Sequence, residues 1–297
     1  MNQVEKAARF AELHVKGAPL LLYNAWDAGT AKSILDAGPK AIATSSWAVA
    51  EAQGYRDDEA IPITLVEQII ARIVSTIDAP VSVDFEGGYS DDNGALAENV
   101  AHLLELGIIG INFEDRVVQG AGLYPIDQHA RRIAAIREVA EVKGVDLFIN
   151  ARTDLFLGLQ GDPANSIDDA LDRAKAYAAA GASGFFIPGL RDDALIGRIC
   201  DGVALPVNVM VMEGVPALVR AWCRARQLRR NSLCPRIDKE VDALRSRSLT
   251  NGRDPPGLLV DWIEPGALND AVFEIDPDDT GFKEAGHIFG QRTIVVV

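Results

Sequence analysis

The chain has 297 residues, 48% hydrophobic and 24% charged, so it can bury a large core, and its length fits either two domains or one α/β barrel. A formal net charge of −14 argues against a nucleic-acid partner and against an anionic membrane surface. The start, Met1 to Phe10, lacks the basic-then-apolar order of a secretory signal, and no apolar run reaches the roughly 18 residues of a membrane span, so a cytoplasmic protein is expected.

β-like runs at 20–24, 41–44, 81–84, 108–113, 147–151, 184–187 and 207–211 alternate with helical stretches at 28–37, 65–77, 96–106, 126–142, 167–180 and 194–200. In the helical stretches, apolar residues recur every three or four positions. Gly38, Gly107, Gly144 and Gly181 follow four of them, where a left-handed cap is expected. Strict alternation of strand and helix implies a parallel sheet. Seven legible strands, with functional-looking residues gathered at their C-terminal ends, favour a (β/α)8 barrel of the TIM type. A doubly wound sheet is the runner-up, because periodicity alone does not show closure.

Residues 1–220 therefore read as the barrel and 221–297 as an atypical C-terminal segment. The run 221–230 is basic in an otherwise acidic chain, and the βα rhythm fades after it. Its plain reading is a solvated helix face. A change of reading frame near Arg220 is a second hypothesis, which an uninterrupted frame in the source gene would remove. Either 257–263 or 293–297 could supply the eighth strand, with Pro255 and Pro256 marking an irregular connection before the first of these. Cys200, Cys223 and Cys234 have no metal-type spacing and read as reduced thiols. His14, His102, His129 and His287 likewise lack the spacing of a zinc site.

Two strand ends carry the chemistry. Val81-Ser-Val-Asp-Phe-Glu-Gly-Gly-Tyr89 and Gly110-Ile-Asn-Phe-Glu-Asp-Arg116 are each a buried-looking run that ends in carboxylates. Side chains alternate along a strand, so Asp84 and Glu86 share one face, and Glu114 stands at the corresponding end of the next strand. Like charges brought together need a cation between them, and oxygen-only ligands suit a hard divalent ion, Mg²⁺ first and Mn²⁺ as an alternative. Taken singly, Asp84 and Glu86 could equally be ordinary loop-facing charges; their convergence with Glu114 is what raises the metal reading. Tyr23 and Trp26 would by burial tendency more often pack than touch a ligand.

Six motifs in order carry a resemblance: Tyr23-Asn-Ala-Trp-Asp-Ala28, Thr44-Ser-Ser-Trp47, Gly54-Tyr-Arg-Asp57, Val83-Asp-Phe-Glu-Gly-Gly-Tyr89, Asn112-Phe-Glu-Asp115 and Asn150-Ala-Arg-Thr-Asp154. Together they resemble the isocitrate lyase and phosphoenolpyruvate mutase superfamily, and its phosphonomutase-like branch most. The resemblance implies a Mg²⁺-dependent (β/α)8 barrel that makes or breaks a bond next to a 2-oxo acid through an enolate. It also implies a homo-oligomer, tetramer or dimer, and a small carboxylate as the partner.

By the same resemblance, Asp84 corresponds to the metal-proximal aspartate, and Glu86 and Glu114 to carboxylates that hold the ion directly or through water. Arg152 matches a substrate-contacting arginine, and Asp57 a loop aspartate that serves phosphonate members as nucleophile or anchor. Ser45, Ser46 and Trp47 fall where the family offers N–H groups and a hydroxyl to the substrate carboxylate. Tyr23 joins the substrate-binding set, as does Asn208 at the end of the seventh strand. Asp115 and Asp154 read either as groups that orient Arg152 or a metal-bound water, or as helix N-caps.

The segment Glu114 to Tyr124 lacks the Lys-Cys-Gly-His loop of isocitrate and methylisocitrate lyases, so cysteine-dependent chemistry is not expected. Arg116 and Gln119 replace only in part the Lys and Asn of phosphoenolpyruvate mutases. The expected reaction is carbon–carbon cleavage of an oxaloacetate- or substituted-malate-like acid. Carbon–phosphorus chemistry, by a phosphonopyruvate hydrolase or phosphoenolpyruvate mutase, is one alternative. A non-catalytic acid-binding barrel is another.

Overall fold

Seven strands coincide with the apolar runs of the sequence: β1 (Leu20–Ala25), β2 (Ile42–Thr44), β3 (Val81–Asp84), β4 (Gly110–Glu114), β5 (Phe148–Arg152), β6 (Gly184–Phe186) and β7 (Val207–Val211). The computed structural model describes residues 1–15, 20–158, 160–211 and 292–296. From β1 to β7 each strand pairs in parallel with its neighbour in sequence order, six parallel pairs in all. An eighth, β8 (Arg292–Val296), closes the barrel between β7 and β1.

β8 draws on one of the two segments expected to supply an eighth strand, but it runs antiparallel to both neighbours. The barrel is therefore seven parallel strands plus one reversed. The free N–H and C=O rows of β1 and β7 can be satisfied by a strand of either direction, and the β-branched Thr293, Ile294, Val295 and Val296 suit one. The other candidate, 257–263, lies outside the described residues, as do the basic run 221–230, Cys223, Cys234 and His287.

Helices α1 (Gln3–Glu12), α2 (Ala28–Asp36), α3 (Ser46–Ala52), α4 (Ile63–Thr76), α5 (Asn93–Glu105), α6 (Ile126–Val142), α7 (Ile167–Ala179) and α8 (Asp193–Gly202) connect or flank the strands. Two were not legible as periodic stretches. α1 is held by a capping box between Asn2 and Glu5. α3 is short and starts where Ser45 Oγ accepts the Ala48 N–H. No helix of the described residues is long and apolar enough to cross a membrane.

Strand alternation sorts the interior. Ile42, Val81, Val83, Ile111, Phe113, Ile149 and Phe185 point outward and pack, fully or almost fully buried, in the layer shared with Leu96, Val100, Leu103, Ile133 and Ile136 of the helices. The opposite set is mixed, with Leu22, Ala43 and Phe148 beside a polar group. Ser82, Asn112, Asn150 and Asn208 share the barrel interior, where Asn150 Nδ2 donates to Asn112 Oδ1 at 2.8 Å. Gly184 makes room for this layer, since a Cβ there would lie 2.8 Å from Asn150 Oδ1.

Candidate active site

The C-terminal ends of β3, β4 and β5 bring Asp84, Glu114 and Arg152 to one rim of the barrel. Register explains the meeting: Asp84 pairs with Asn112, and Glu114 pairs with Arg152, so all face inward. Arg152 Nη1 lies 2.9 Å from Glu114 Oε2 and 3.9 Å from Asp84 Oδ1. Asp154, two residues on, grips the same guanidinium with both oxygens, Oδ1 on Nε at 2.6 Å and Oδ2 on Nη2 at 2.9 Å. Burial works against the arginine's charge, but Glu114, Asp154 and Asp84 outweigh it and hold its pKa well above the usual value.

Arg116 is a second cation at the rim. Its Nε donates to Glu114 Oε1 at 3.2 Å, and its guanidinium also pairs with Asp58 and approaches Asp154 at 3.7 Å. Glu114 thus sits between two arginines, yet it is only 1% exposed and burial is the stronger influence. Its carboxyl is pushed up to about 8, with Arg152 opposing and Asp154 and Asp84 adding to the rise.

Glu86 completes the acidic group through an unusual backbone. Its φ is +49°, and Asp58, Glu59 and Tyr89 also take positive φ, all in the loops after β2 and β3. Such residues cost about 1–3 kcal/mol each and persist where surrounding bonds fix them. Here the loops fasten each other: Glu59 N–H donates to Glu86 Oε1 at 2.9 Å, and Tyr89 N–H to Glu59 Oε1 at 2.8 Å. Tyr89 Oη donates to Glu86 Oε2 at 3.2 Å. Burial, followed by the charge of Asp57 and then those of Asp84 and Glu114, pushes the Glu86 carboxyl up to about 8.

The remaining expected residues divide. Asp57 joins the group: its Oδ1 is buried and accepts no hydrogen bond, and burial followed by Asp84 and Asp58 raises its pKa. Ser46 is already engaged, donating both its N–H, at 3.1 Å, and its hydroxyl, at 2.9 Å, to Asp84 Oδ2. Ser45 caps α3, and Trp47 is half-buried in the first turn of that helix. Tyr23 pairs in register with the outward-facing Ile42, so it points away from the barrel interior. Asn208 does face inward, but beneath the acids, lining a small cavity with Ser82, Asn112 and Asn150. Glu59 and Tyr89 were not singled out as site residues; the acidic run Asp57-Asp-Glu59 was the one signal available for Glu59.

The donor set suits a hard cation that keeps most of its water. Asp84 Oδ1 is a buried oxygen with no hydrogen-bond partner, whereas both oxygens of Glu86 and of Glu114 are engaged. Among the described residues, no three His, Cys, Asp or Glu side chains are arranged to hold an ion by themselves. Asp84 as direct ligand, with Glu86 and Glu114 acting through water, fits the preference of Mg²⁺ for retained waters. Beside these acids, a cavity of about 250 Å³ lies between the loops after β3 and β4, with Arg116, Tyr89 and Tyr124 among its walls.

A model of the phosphoenolpyruvate phosphomutase family matches residues 10–230. The 2-methylisocitrate lyase of Escherichia coli strain K12 is 28% identical over 204 residues, spanning 67% of this chain and 67% of that enzyme. Among solved structures, a candidate phosphonomutase from Burkholderia cenocepacia J2315 is 46% identical, covers 73% of this chain and 88% of its own, and has a TM-score of 0.71. A phosphonopyruvate hydrolase solved with oxalate and Mg²⁺ shares the fold at 18% identity, covering 84% of this chain and 98% of its own with a TM-score of 0.61.

Proposed function

The chain belongs to the phosphoenolpyruvate phosphomutase family, within the isocitrate lyase and phosphoenolpyruvate mutase superfamily of barrel enzymes, and from that premise we propose that it is a Mg²⁺-dependent lyase. It cleaves a carbon–carbon bond next to a 2-oxo or 2-hydroxy acid, of the oxaloacetate or substituted-malate kind. The observation that carries this reading is Arg152, a buried guanidinium fixed by Asp154 and aimed between Glu114 and Asp84.

When bound at Asp84, with Glu86 and Glu114 reached through water, Mg²⁺ would offset the acids' repulsion and draw electrons from the substrate carbonyl. Arg152 holds the charge that develops on the enolate oxygen, because its fork is already oriented and stays protonated. In the Ser45-Ser46-Trp47 turn, Ser46 gives its N–H and its hydroxyl to Asp84, and Ser45 Oγ accepts the capping N–H of Ala48. The Trp47 N–H, in the first turn of α3, is offered to the substrate carboxylate. Asp57 Oδ1, buried and unpartnered, can take or return a proton at the bond that breaks. A homotetramer or dimer accompanies the reading, and sedimentation of the purified protein would test it.

Asp57 also favours a second reading. A buried carboxylate oxygen with no partner, beside Asp84 and Glu86, could attack or activate water against a phosphonate, and the most identical of the relatives above is a candidate phosphonomutase.

The deciding experiment supplies Mg²⁺ and tests oxaloacetate, 2-methylisocitrate, substituted malates and phosphonopyruvate while following pyruvate and inorganic phosphate, with Asp84→Ala as control. Pyruvate without phosphate, lost in the control, is the expected result. Phosphate release that Asp57→Asn abolishes would replace carbon–carbon cleavage with the second reading. Turnover that survives Asp84→Ala would remove the metal site.

A further inference from the structure

Behind β4 lies a second buried charge cluster that takes no part in the reaction as described. Asp115 is fully buried, and its Oδ2 accepts hydrogen bonds from Arg173 Nη1 and from Tyr177 Oη, both at 2.9 Å. Arg173 Nη1 also donates to the Tyr124 carbonyl at 3.1 Å and to Tyr177 Oη at 3.0 Å. Arg173 and Tyr177 are four residues apart on α7, so one helix face presents both donors.

The other side of Asp115 faces the site. Its Oδ1 accepts the Asp154 N–H at 3.1 Å, and its own N–H donates to the Arg152 carbonyl at 3.0 Å. Asp154 opens a 3-10 turn of three residues that has no side-chain cap. Such a turn is too short to fix its first residue by its own hydrogen bonds. The position of the Asp154 carboxylate, and through it the Arg152 fork, therefore depends on a contact from outside the turn.

We propose that Asp115, anchored by Arg173 and Tyr177, is a positioning residue that fixes the Asp154 backbone so that the Asp154 carboxylate holds the Arg152 guanidinium in place. The proposal rests on the role given to Arg152 above for its kinetic consequence, though not for its geometric one. A displacement of about 1 Å at a reacting group costs roughly 10²-fold in rate, so a partial loosening should fall short of that. Asp115 touches no reacting atom and acts only through its neighbour.

The Arg152 Nε–H, donated to Asp154 Oδ1, gives a reading that needs no substrate. Its side-chain nitrogen signal is assigned by its disappearance in Arg152→Lys, and its solvent exchange is then compared in wild type, Asp115→Asn and Tyr177→Phe. Exchange should quicken about 10-fold in Asp115→Asn and several-fold in Tyr177→Phe, in line with a guanidinium that has lost its fixed partner. The Nε–H of Arg137, which donates to the Gly181 carbonyl, should not change and serves as the internal control.

In turnover, kcat should fall about 10-fold with KM nearly constant, and Asp154→Asn should mask the effect of Asp115→Asn in the double variant. Unchanged Arg152 exchange in a folded Asp115→Asn protein overturns the proposal. If that variant does not fold, unchanged exchange in Tyr177→Phe does so. Quickened exchange in a protein that turns over no oxo acid sustains the positioning role and removes the lyase reading instead.

Discussion

Glu114 and Asp115 are successive residues, yet alternation at the end of β4 sends them into two different kinds of buried electrostatics. On the barrel side, Glu114 shares Arg152 and Arg116 with Asp84, Asp154 and Asp58, while Asp57 and Glu86 press from the neighbouring loops. Buried oxygens on Asp84 and Asp57 are left with no hydrogen-bond partner. On the helix side, Asp115 has Arg173 and Tyr177 on one oxygen and a backbone N–H on the other. One cluster carries surplus negative charge that a cation or substrate can answer; the other is closed. A satisfied polar network gives rigidity, whereas an unsatisfied one holds energy in readiness for a ligand.

The contrast can be broken most completely at Asp84. Asp84→Ala should reduce turnover to background and abolish the rise in melting temperature on adding Mg²⁺. In the wild type that rise should correspond to about 2.7 kcal/mol when free Mg²⁺ is 100 times its dissociation constant. Activity assays and scanning calorimetry, with and without the substitution, measure the two. A thermal shift that persists in the variant would move the ion elsewhere.

Next in size, Arg152→Ala should lower kcat by about 10²- to 10³-fold. The protein should still fold, because the Glu114 carboxyl, pushed up to about 8, can hold a proton once the cation is gone. Steady-state kinetics and circular dichroism check the two halves of this statement. The closed cluster should behave the other way round. Arg173→Ala leaves a buried carboxylate unpaired and should cost about 3–5 kcal/mol of stability, read from urea unfolding.

The two regions should also answer pH with opposite slopes. His129 is fully buried between Phe113 and Tyr177, its ring nitrogens have no hydrogen-bond partner, and burial followed by Arg132 and Arg173 holds its pKa well below the usual histidine value of 6.5. The unfolded chain therefore binds a proton below 6.5 that the native state refuses, so this contribution is present above 6.5 and is lost as pH falls. The slope can reach about 1.4 kcal/mol per pH unit, and His129→Leu should flatten it. Glu86 and Glu114 act in reverse. Their folded pKa values, raised from 4.5 to about 8, mean the native state holds more protons between those limits, so metal-free protein should lose stability as pH rises across that window. Melting curves over pH, with and without Mg²⁺, separate the two, since bound Mg²⁺ should suppress only the second.

The smallest expected effect sharpens the comparison at its edge. Tyr89→Phe removes one neutral donor from Glu86 and should cost about 0.5–1.5 kcal/mol of stability. A large loss of activity from this change alone would mean that Tyr89 meets the substrate.

Much of this was legible in the chain. The seven strands stood out because apolar runs bounded by glycine caps and amphipathic stretches are written in local order. That Asp84, Glu114 and Arg152 come to one rim follows from strand periodicity and the order of the motifs, whereas Glu86, expected on the same strand face as Asp84, lies past the end of β3 and reaches the group through a left-handed backbone. α3 was hidden, being seven residues long and too short to show a period. Tyr23 and Asn208 stand with the substrate on motif and strand-end position alone, since register is not written locally. Pairing with Ile42 turns Tyr23 outward, and Asn208 lines the cavity beneath the acids.

Sequence by itself determined which residues form the seven parallel strands, which of their side chains share the inner face, and that acids gather at one end of the sheet. These follow from a two-residue period and from local propensity. Only the tertiary structure decided the direction of β8, the capture of both Ser46 donors by Asp84, and the division of the arginines, with Arg152 and Arg116 on Glu114 and Arg173 on Asp115. Those outcomes depend on distances between residues far apart in the chain. A charge chooses its partner by proximity and burial in three dimensions, which no local pattern records.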